Sequence, residues 1–369
     1  MKKIFCIIIT MLMMFTMGIT AHGDELTDEL GIDMDSIQSP AAEDYGITPE
    51  NTEVMTELSV GEVFAYIFHT LADKAKYPIK VLAALTAVIF AGALISGIGD
   101  GISSKPLEQV YGIVSVLICT GVISAPVSSC IDTTAKTLIS GSEFMIGYIP
   151  VYAGIIASSG SVTSAVSYNA ILLVAAEAAA RLATDCIVPA MSICMALGII
   201  EAVNPAFRLT SLTDAITKAV RFILGFIMVI FIGLLSLQSI IGTSADTLGV
   251  KAAKYLASNC IPVIGSAVAD AYTTIKSSLG ILRGGTGFFG VAVIFLTVVP
   301  PLAEIIIMRA AFALAQVICE LLGVKQVDIL LKNSSSVLSM MFSVTVCFAV
   351  MLIVSTAVMM LTGLSVSQM

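Results

Sequence analysis

The chain has no tryptophan and only two histidines, and charged residues make up only 12% of its 369 positions. Both histidines, His22 and His69, lie in the first fifth of the sequence. Their scarcity excludes histidine-based metal sites and catalytic triads from the rest of the chain. The eight cysteines form no Cys-x-x-Cys pair and stand singly in or beside apolar runs, which argues against a disulfide framework. We therefore expect no cofactor and no enzymatic activity.

Long uncharged apolar runs fill most of the sequence. The chain is 57% hydrophobic with a mean hydropathy of +1.01, which an ordinary soluble domain does not reach. Each main run approaches or exceeds the roughly 20 residues that a helix needs to cross a hydrocarbon core of about 30 Å. The runs do not alternate, which excludes the pattern of a membrane β-barrel. They predict an all-α, polytopic integral membrane helix bundle, and they cover residues 81–99, 109–131, 144–176, 222–245, 284–303 and 333–369.

The first 78 residues divide into three parts. Residues 1–22 carry Lys2 and Lys3 before an apolar stretch, the pattern of a signal peptide, with an uncleaved first helix as the alternative. Residues 23–57 are acidic and contain no Lys or Arg, so we expect a flexible extracytoplasmic arm. Residues 58–78 space their apolar side chains helically, which predicts an amphipathic helix on the outer surface. Residues 79–369 form the multi-pass membrane domain.

We expect about eight to ten membrane segments, some of them short or re-entrant. The run 144–176 is too long for one span, and its Ser158-Ser159-Gly160-Ser161 predicts a tight reversal between two helices. Basic residues in short loops favour the cytoplasm. With the arm outside, this rule is met at Lys105, Arg208, Lys218, Arg221, Lys276, Arg283, Lys325 and Lys332, and opposed at Lys74, Lys76, Lys80, Lys251 and Lys254.

Charged residues inside or beside the runs are the candidate functional groups. Glu177, Arg181 and Asp185 fall on one helical face, with the acid placed favourably before the base. Because a charge at the bilayer centre costs at least about 2.5 kcal/mol, such groups face a polar interior or a partner. They either line a transport pathway or act as packing and interface charges. The full set is Glu177, Arg181, Asp185, Glu201, Glu304, Arg309 and Glu320.

Two enzyme-like glycine patterns do not carry their usual meaning. Gly97-Ile98-Gly99-Asp100 matches an intramembrane aspartyl protease motif, but no second Asp stands in a preceding span. Gly285-x-Gly287-x-x-Gly290 has the spacing of a dinucleotide-binding turn, but it opens an apolar run instead of following a strand. Neither pattern predicts an enzyme.

One stretch, residues 242–287, resembles a known family beyond its composition. Its core is Asn259-Cys-Ile-Pro262-Val-Ile-Gly265, which follows Asp246, Lys251 and Lys254 and precedes Asp270. This stretch, together with Tyr148-Ile-Pro150 and Pro300-Pro301, resembles the stage III sporulation protein AE family of endospore-forming bacteria. Arg283 departs from the Lys expected there but keeps the charge.

The resemblance implies a place in an assembly, not an active site. The implied role is a membrane subunit of the stage III A channel or secretion-like complex, which links mother cell and forespore and sustains late forespore gene expression. The implied partners are the other stage III A proteins and, through them, the forespore protein Q, in the mother-cell-derived membrane. A homo-oligomer is left open, and nucleic acid is not expected. The alternative function is a secondary transporter for a small solute.

The family motif itself is expected to be a structural or interface element. Pro262 and Gly265 in a short apolar stretch suit a broken or re-entrant helix, with an ordinary proline-kinked span as the alternative. The residues that the resemblance assigns to this element are Asp246, Lys251, Lys254, Asn259, Pro262, Gly265 and Asp270.

Overall fold

The computed structural model describes residues 60–99, 105–204, 206–207, 209–260 and 265–361. Within them the chain is helical throughout and has no strand, which confirms the all-α membrane bundle. The predicted signal peptide and acidic arm lie outside the described residues. The helices are α1 (Val60–Gly99), α2 (Lys105–Ser158), α3 (Val162–Leu182), α4 (Val188–Val203), α5 (Thr210–Cys260), α6 (Gly265–Leu322) and α7 (Lys325–Leu361), and a π-helical turn (Ala183–Ile187) joins α3 to α4.

The helices are fewer and longer than the sequence predicts. The described residues contain six helical stretches long and apolar enough to cross a membrane, where we expected eight to ten segments. The difference arises where the sequence interrupts an apolar run and the helical structure continues: across residues 132–143 of α2, between α3 and α4, and at Pro300-Pro301 of α6. Pro126 and Pro150 lie inside α2, and Pro300 and Pro301 lie inside α6, without ending either helix. A proline removes one backbone hydrogen bond, and neighbouring helices can compensate for this at membrane depth.

Two local breaks have clear causes. The reversal predicted at Ser158 to Ser161 is confirmed, because α2 ends and α3 begins there with Gly160 at a φ of 87°. Glycine adopts this left-handed conformation without the steric penalty that other residues pay. The π-helical turn ends two residues before Pro189, whose ring would clash with the carbonyl of Asp185 in a regular helix.

The helices form a bundle around α7, which packs against α2, α4, α5 and α6. We call the end that carries the α2–α3 reversal the upper end. The upper end also holds the last turn of α7, since a Cβ added at Gly287 of α6 would meet Met360. The lower end holds the α4–α5 connection and the turn at Gly323 between α6 and α7.

The helix α1 is continuous across the boundary that the sequence places at residue 78. It runs through Pro78 from Val60 to Gly99, so residues 60–78 belong to the same helix as the first apolar run. Its first part lies against α6, where the ring centroids of Tyr66 and Phe295 are 6.2 Å apart. The described part of the predicted surface helix therefore continues into the first apolar run and contacts α6, while side chains such as Phe68 stay exposed.

Candidate functional site

Charged side chains gather halfway along the bundle, and we call this group the charged belt. Several of its members form ion pairs within one helix turn: Lys136 with Asp132 at 2.7 Å, Arg181 with Glu177 at 2.8 Å, and Lys76 with Asp73 at 3.1 Å. The belt residues are Asp73, Lys74, Lys76 and Lys80 of α1, Asp132, Lys136 and Glu143 of α2, Glu177 and Arg181 of α3, Asp185 of the π-helical turn, Lys218 and Arg221 of α5, and Glu304 and Arg309 of α6.

Most belt side chains lie on the outer surface of the bundle. The side chain of Arg181 is 75% exposed and that of Glu177 is 52% exposed, and the Lys136–Asp132 pair is similarly open. Asp185, on the same surface, is also exposed. The predicted alignment of Glu177 and Arg181 as an ion pair therefore exists, but the pair faces outward from this chain instead of lining an internal passage.

Glu304 of α6 joins three helices at the level of the belt. Its carboxylate lies 3.8 Å from the Nζ atom of Lys74 on α1 and accepts a weak hydrogen bond from Cys130 Sγ on α2 at 3.9 Å. Because Glu304 is largely buried while Lys74 is half exposed, the pair connects the inside of the bundle to its surface. This contact also places Lys74, Cys130 and Glu304 at one level.

An apolar cavity lies just above that level. It has a volume of about 110 Å³ and is lined by α2, α3, the π-helical turn, α5 and α7. Its wall on α3 is built from alanines, while Leu138, Ile227 and Phe348 contribute larger side chains. The residues that line the cavity show which parts of the helices lie at the same level, because residues 175–187, Leu138 and Ile227 surround one space. Glu177 and Arg181 are thus level with the first turns of α5 after Arg221.

Asp246, a residue of the family motif, closes the upper end of α3. Its carboxylate is only 5% exposed and accepts hydrogen bonds from the backbone N–H groups of Thr163 at 3.0 Å and Ser164 at 3.1 Å. The first N–H groups of a helix have no partner within the helix, and the helix dipole favours a negative charge there. Asp246 of α5 therefore acts as an N-terminal cap for another helix.

Two buried tyrosines bind the backbone of α6. Tyr148 Oη donates to the Thr286 carbonyl and Tyr152 Oη to the Arg283 carbonyl, each at 3.0 Å. The rings stack with centroids 5.4 Å apart. Each acceptor stands four residues before a glycine, Gly290 or Gly287.

The glycine spacing explains why these carbonyls are accessible. A helical side chain covers the turn that precedes it, so a residue without a side chain leaves the carbonyl four positions earlier open. A Cβ at Gly290 would stand 2.6 Å from Tyr148 Cζ, and one at Gly287 would stand 3.0 Å from Tyr152 Oη. The glycine pattern that resembles a dinucleotide fingerprint therefore allows two helices to approach closely.

Arg283 lies beside this contact at the upper edge of α6. Its side chain is buried, and its Nε and Nη2 atoms have no hydrogen-bond partner within the described part of the chain. Together with Asp246, it marks the upper limit of the uncharged part of the bundle.

At the lower end, a second set of polar groups joins α4, α5 and α7. Buried Glu201 accepts hydrogen bonds from Thr210 Oγ1 and from Asn333 Nδ2 at 3.2 Å. Asn333 also fills the space over Gly198, where an added Cβ would come within 2.7 Å of it. The Oε1 atom of Glu320 lies 3.8 Å from the Nζ atom of Lys332. These contacts hold helix ends together.

The structure separates the charges that the sequence groups as a candidate pathway. Glu177, Arg181, Asp185, Glu304 and Arg309 belong to the belt, whereas Glu201 and Glu320 lie at the lower end. Asp132 and Lys136 belong to the belt but were not selected from the sequence, although opposite charges four residues apart were a visible signal.

Gly265 begins α6. The rest of the family motif lies outside the described part: Pro262 entirely, and the side chains of Lys251, Lys254, Asn259 and Asp270.

Comparison with known proteins gives a consistent picture. The sequence profile of the family described as Stage III sporulation protein AE (spore_III_AE) matches residues 50–363. A protein of that same description from Bacillus subtilis (strain 168) is 24% identical over 263 residues, which cover 71% of this chain. The chain spans 64% of the length of that relative. No solved structure matches the fold. Among the described residues, no group of three or more His, Cys, Asp or Glu side chains could hold a metal ion.

Proposed function

Because the chain belongs to the stage III sporulation protein AE family, we propose that it is a membrane subunit of the stage III A channel or secretion-like complex. In this role it links mother cell and forespore and is required for endospore development and late forespore gene expression. Its place is the mother-cell-derived membrane, and its partners are the other stage III A proteins and, through them, the forespore protein Q. The observation that carries the proposal is the family match, which extends over nearly the whole helical part.

The use of buried polar groups supports a structural subunit. Asp246 caps a helix, Glu201 joins three helices, and Tyr148 and Tyr152 bind backbone carbonyls. Each of these groups forms its hydrogen bonds with another helix of the bundle. An enzyme needs polar groups that remain available to a substrate in a concave site. The cavity beside the belt offers almost only apolar atoms instead.

The secondary transporter remains the competing function, and one observation bears on it. Alternating-access carriers bind substrate near the bilayer midplane, between repeats of the fold. Here Glu177 and Arg181 lie on the outer surface of the chain, and the described cavity contains neither. This arrangement favours a subunit that presents charges to its surroundings.

The decisive experiment is deletion of the gene in its native endospore-forming host, followed by complementation. We expect loss of heat-resistant spores and of a late forespore reporter, with engulfment completed. The tagged protein should co-purify with other stage III A proteins from sporulating cells. Normal sporulation of the deletion strain would refute the proposal. Solute uptake by the purified chain alone in liposomes, without co-purifying partners, would establish the transporter instead.

A further inference from the structure

Arg283 is a buried cation whose partner lies outside the described part of the chain. Its side chain is only 4% exposed, and its Nε and Nη2 atoms find no hydrogen-bond acceptor among the described residues. An arginine side chain stays protonated in proteins, and a buried charge is costly unless a counter-charge and hydrogen bonds compensate for it. Arg283 therefore requires an anionic partner.

The two unpaired nitrogens indicate the kind of partner. Nε and Nη2 lie on one edge of the planar guanidinium group, and their N–H groups point away from that edge side by side. A carboxylate fits this edge with both of its oxygens and forms a bidentate ion pair. The expected partner is therefore a carboxylate that reaches the upper end of α6.

The described acidic side chains leave Arg283 unpaired. Asp246, also at the upper end of the bundle, accepts its hydrogen bonds from the start of α3. Glu304 lies 21 residues further along α6, about 31 Å lower. The chain that follows α7 begins close to Gly287, but residues 362–369 contain no Asp or Glu. The carboxylate must come from another segment.

The helices α1 and α6 lie side by side and run in the same direction. Tyr66 of α1 lies beside Phe295 of α6, with ring centroids 6.2 Å apart. Further along both helices, Lys74 of α1 pairs with Glu304 of α6. These two contacts fix the register of the helices, so positions above Tyr66 can be compared in height with positions above Phe295.

This register places the segment before α1 next to the level of Arg283. Arg283 lies 12 residues before Phe295, which puts it about 18 Å higher along α6. Val60, where α1 begins, lies six residues before Tyr66 and is about 9 Å higher. The chain that precedes Val60 therefore starts about 9 Å below the level of Arg283.

Glutamates stand at the right distance before Val60 to span this gap. An extended chain advances about 3.3 Å per residue, so three residues bring Glu57 to the level of Arg283. A continued helix advances about 1.5 Å per residue, so Glu53 arrives at that level instead. Residues 23–57 contain no Lys or Arg that could compete for these carboxylates. Both paths thus bring a carboxylate to the guanidinium.

We propose that the acidic segment before α1, residues 50–57, docks at the upper end of α6 and that one of its glutamates binds Arg283. The carboxylate accepts hydrogen bonds from Nε and Nη2 and neutralises the buried charge. The end of the acidic arm is then anchored to the membrane domain. This inference rests on charge and helix register alone and does not depend on the proposed function.

A double-mutant cycle on the full chain tests the pairing. In one variant the three glutamates of the segment are neutralised together, as Glu50→Gln, Glu53→Gln and Glu57→Gln. In another, Arg283→Met replaces the guanidinium with an uncharged, flexible side chain that needs no partner. A third variant combines both changes. The unfolding equilibrium constant of each purified protein is measured in mild detergent by titration with sodium dodecyl sulfate.

Neutralising the glutamates should matter only while Arg283 is present. We expect the unfolding equilibrium constant to rise by at least about tenfold in the parent, because the buried guanidinium loses its counter-charge. In the Arg283→Met background the same change should have less than about a twofold effect. Equal effects in both backgrounds would show that the groups are not paired. No effect in either background would show that another anion, such as a lipid phosphate, serves Arg283, and would also overturn the proposal.

The control variant neutralises three acids in a more distant part of the arm. Asp33→Asn, Asp35→Asn and Asp44→Asn together remove the same number of charges. We expect less than about a twofold effect in either background, since distant groups without a shared partner act independently. If this control matches the glutamate variant, the effect comes from the net charge of the arm, and the proposed docking is wrong.

Cross-linking tests the position of the segment without removing any of its glutamates. Gly280 is exposed about one turn above Arg283, and a Cβ there would meet nothing within 4 Å, so Gly280→Cys introduces no clash. It is combined with Thr56→Cys and with Cys186→Ser, because Cys186 is an exposed free thiol. A short bismaleimide is applied to membranes that contain the full chain, and the cross-linked peptide is quantified by mass spectrometry.

The yield of this cross-link should depend on the buried arginine. Arg283→Met should lower it by at least about fivefold, because a released segment has a much lower effective concentration near Gly280. Arg309→Met, the same substitution on the same helix α6, should leave the yield unchanged. An equal yield with and without Arg283, or an equal loss in both methionine variants, would overturn the proposal.

Discussion

Replacing Asp246 should reveal how much one buried carboxylate contributes to this bundle. The side chain accepts two backbone hydrogen bonds at the start of α3, and almost none of it reaches solvent. A hydrogen bond to a charged group contributes about 1.5 to 3 kcal/mol, so two of them contribute about 3 to 6 kcal/mol. Asp246→Ala leaves two N–H groups without their partner. We expect it to lower the free energy of unfolding by about 3 to 5 kcal/mol.

The conservative variant separates the charge from the hydrogen bond. Asp246→Asn keeps one carbonyl oxygen as an acceptor but loses the charge that the helix dipole favours. Its expected loss is smaller, about 2 kcal/mol. The measurement is unfolding of the purified protein in mild detergent by titration with sodium dodecyl sulfate, followed by circular dichroism.

Asp214 provides the control, because it is an exposed Asp on the same helix α5. Asp214→Ala should change stability by no more than about 0.5 kcal/mol. If Asp246→Ala stays within about 1 kcal/mol of the parent, the carboxylate does not cap α3, and the reasoning fails. A loss of equal size in Asp246→Asn and Asp246→Ala would show that the charge alone carries the effect.

Further predictions concern the tyrosine contact and the belt. Gly290→Ala should destabilise the protein by about 1 to 3 kcal/mol in the same titration, because its Cβ would overlap the Tyr148 ring. The control is Gly284→Ala, which should be neutral or stabilising, because a Cβ at Gly284 would meet nothing within 4 Å. Tyr148→Phe should lower the free energy of unfolding by about 1 kcal/mol. A larger loss would show that the Thr286 carbonyl has no other hydrogen-bond donor. Because the Arg181–Glu177 pair is exposed, the single variant Arg181→Ala should accumulate in membranes at least as well as the double variant Arg181→Ala with Glu177→Ala. Protein levels are measured by immunoblot of membranes. A strong rescue of the single variant by the second change would place the pair in a buried environment.

The sequence predicts which segments are apolar better than it predicts where helices end. The reversal at Gly160 is predictable because small polar residues interrupt an over-long apolar run. Pro300 and Pro301 also interrupt such a run, yet α6 passes through them. A proline removes one backbone hydrogen bond whether or not the helix ends there, and the neighbouring helices decide whether the helix stops or continues. This information is not local, which explains the excess of segments that we expected.

The candidate site shows the same limit. The family resemblance singles out Asp246, but its hydrogen-bond partners lie more than 80 positions earlier in the chain, so its role as a cap becomes visible only in the structure. Gly287 and Gly290 were set aside as an accidental motif, and their function depends on the position of Tyr148 and Tyr152. By contrast, the pairing of Glu177 with Arg181 follows from helical spacing alone.

The central position of α7 has a consequence for biogenesis. This helix packs mainly against four others, yet of the seven described helices it is the last to leave the ribosome. Until it arrives, Glu201 lacks its Asn333 partner, Arg221 lacks Ser339, and Gly287 faces no Met360. The earlier helices must therefore wait in a loose state within the membrane. A chain cut short before residue 325 should be a substrate for membrane proteases instead of a smaller working subunit.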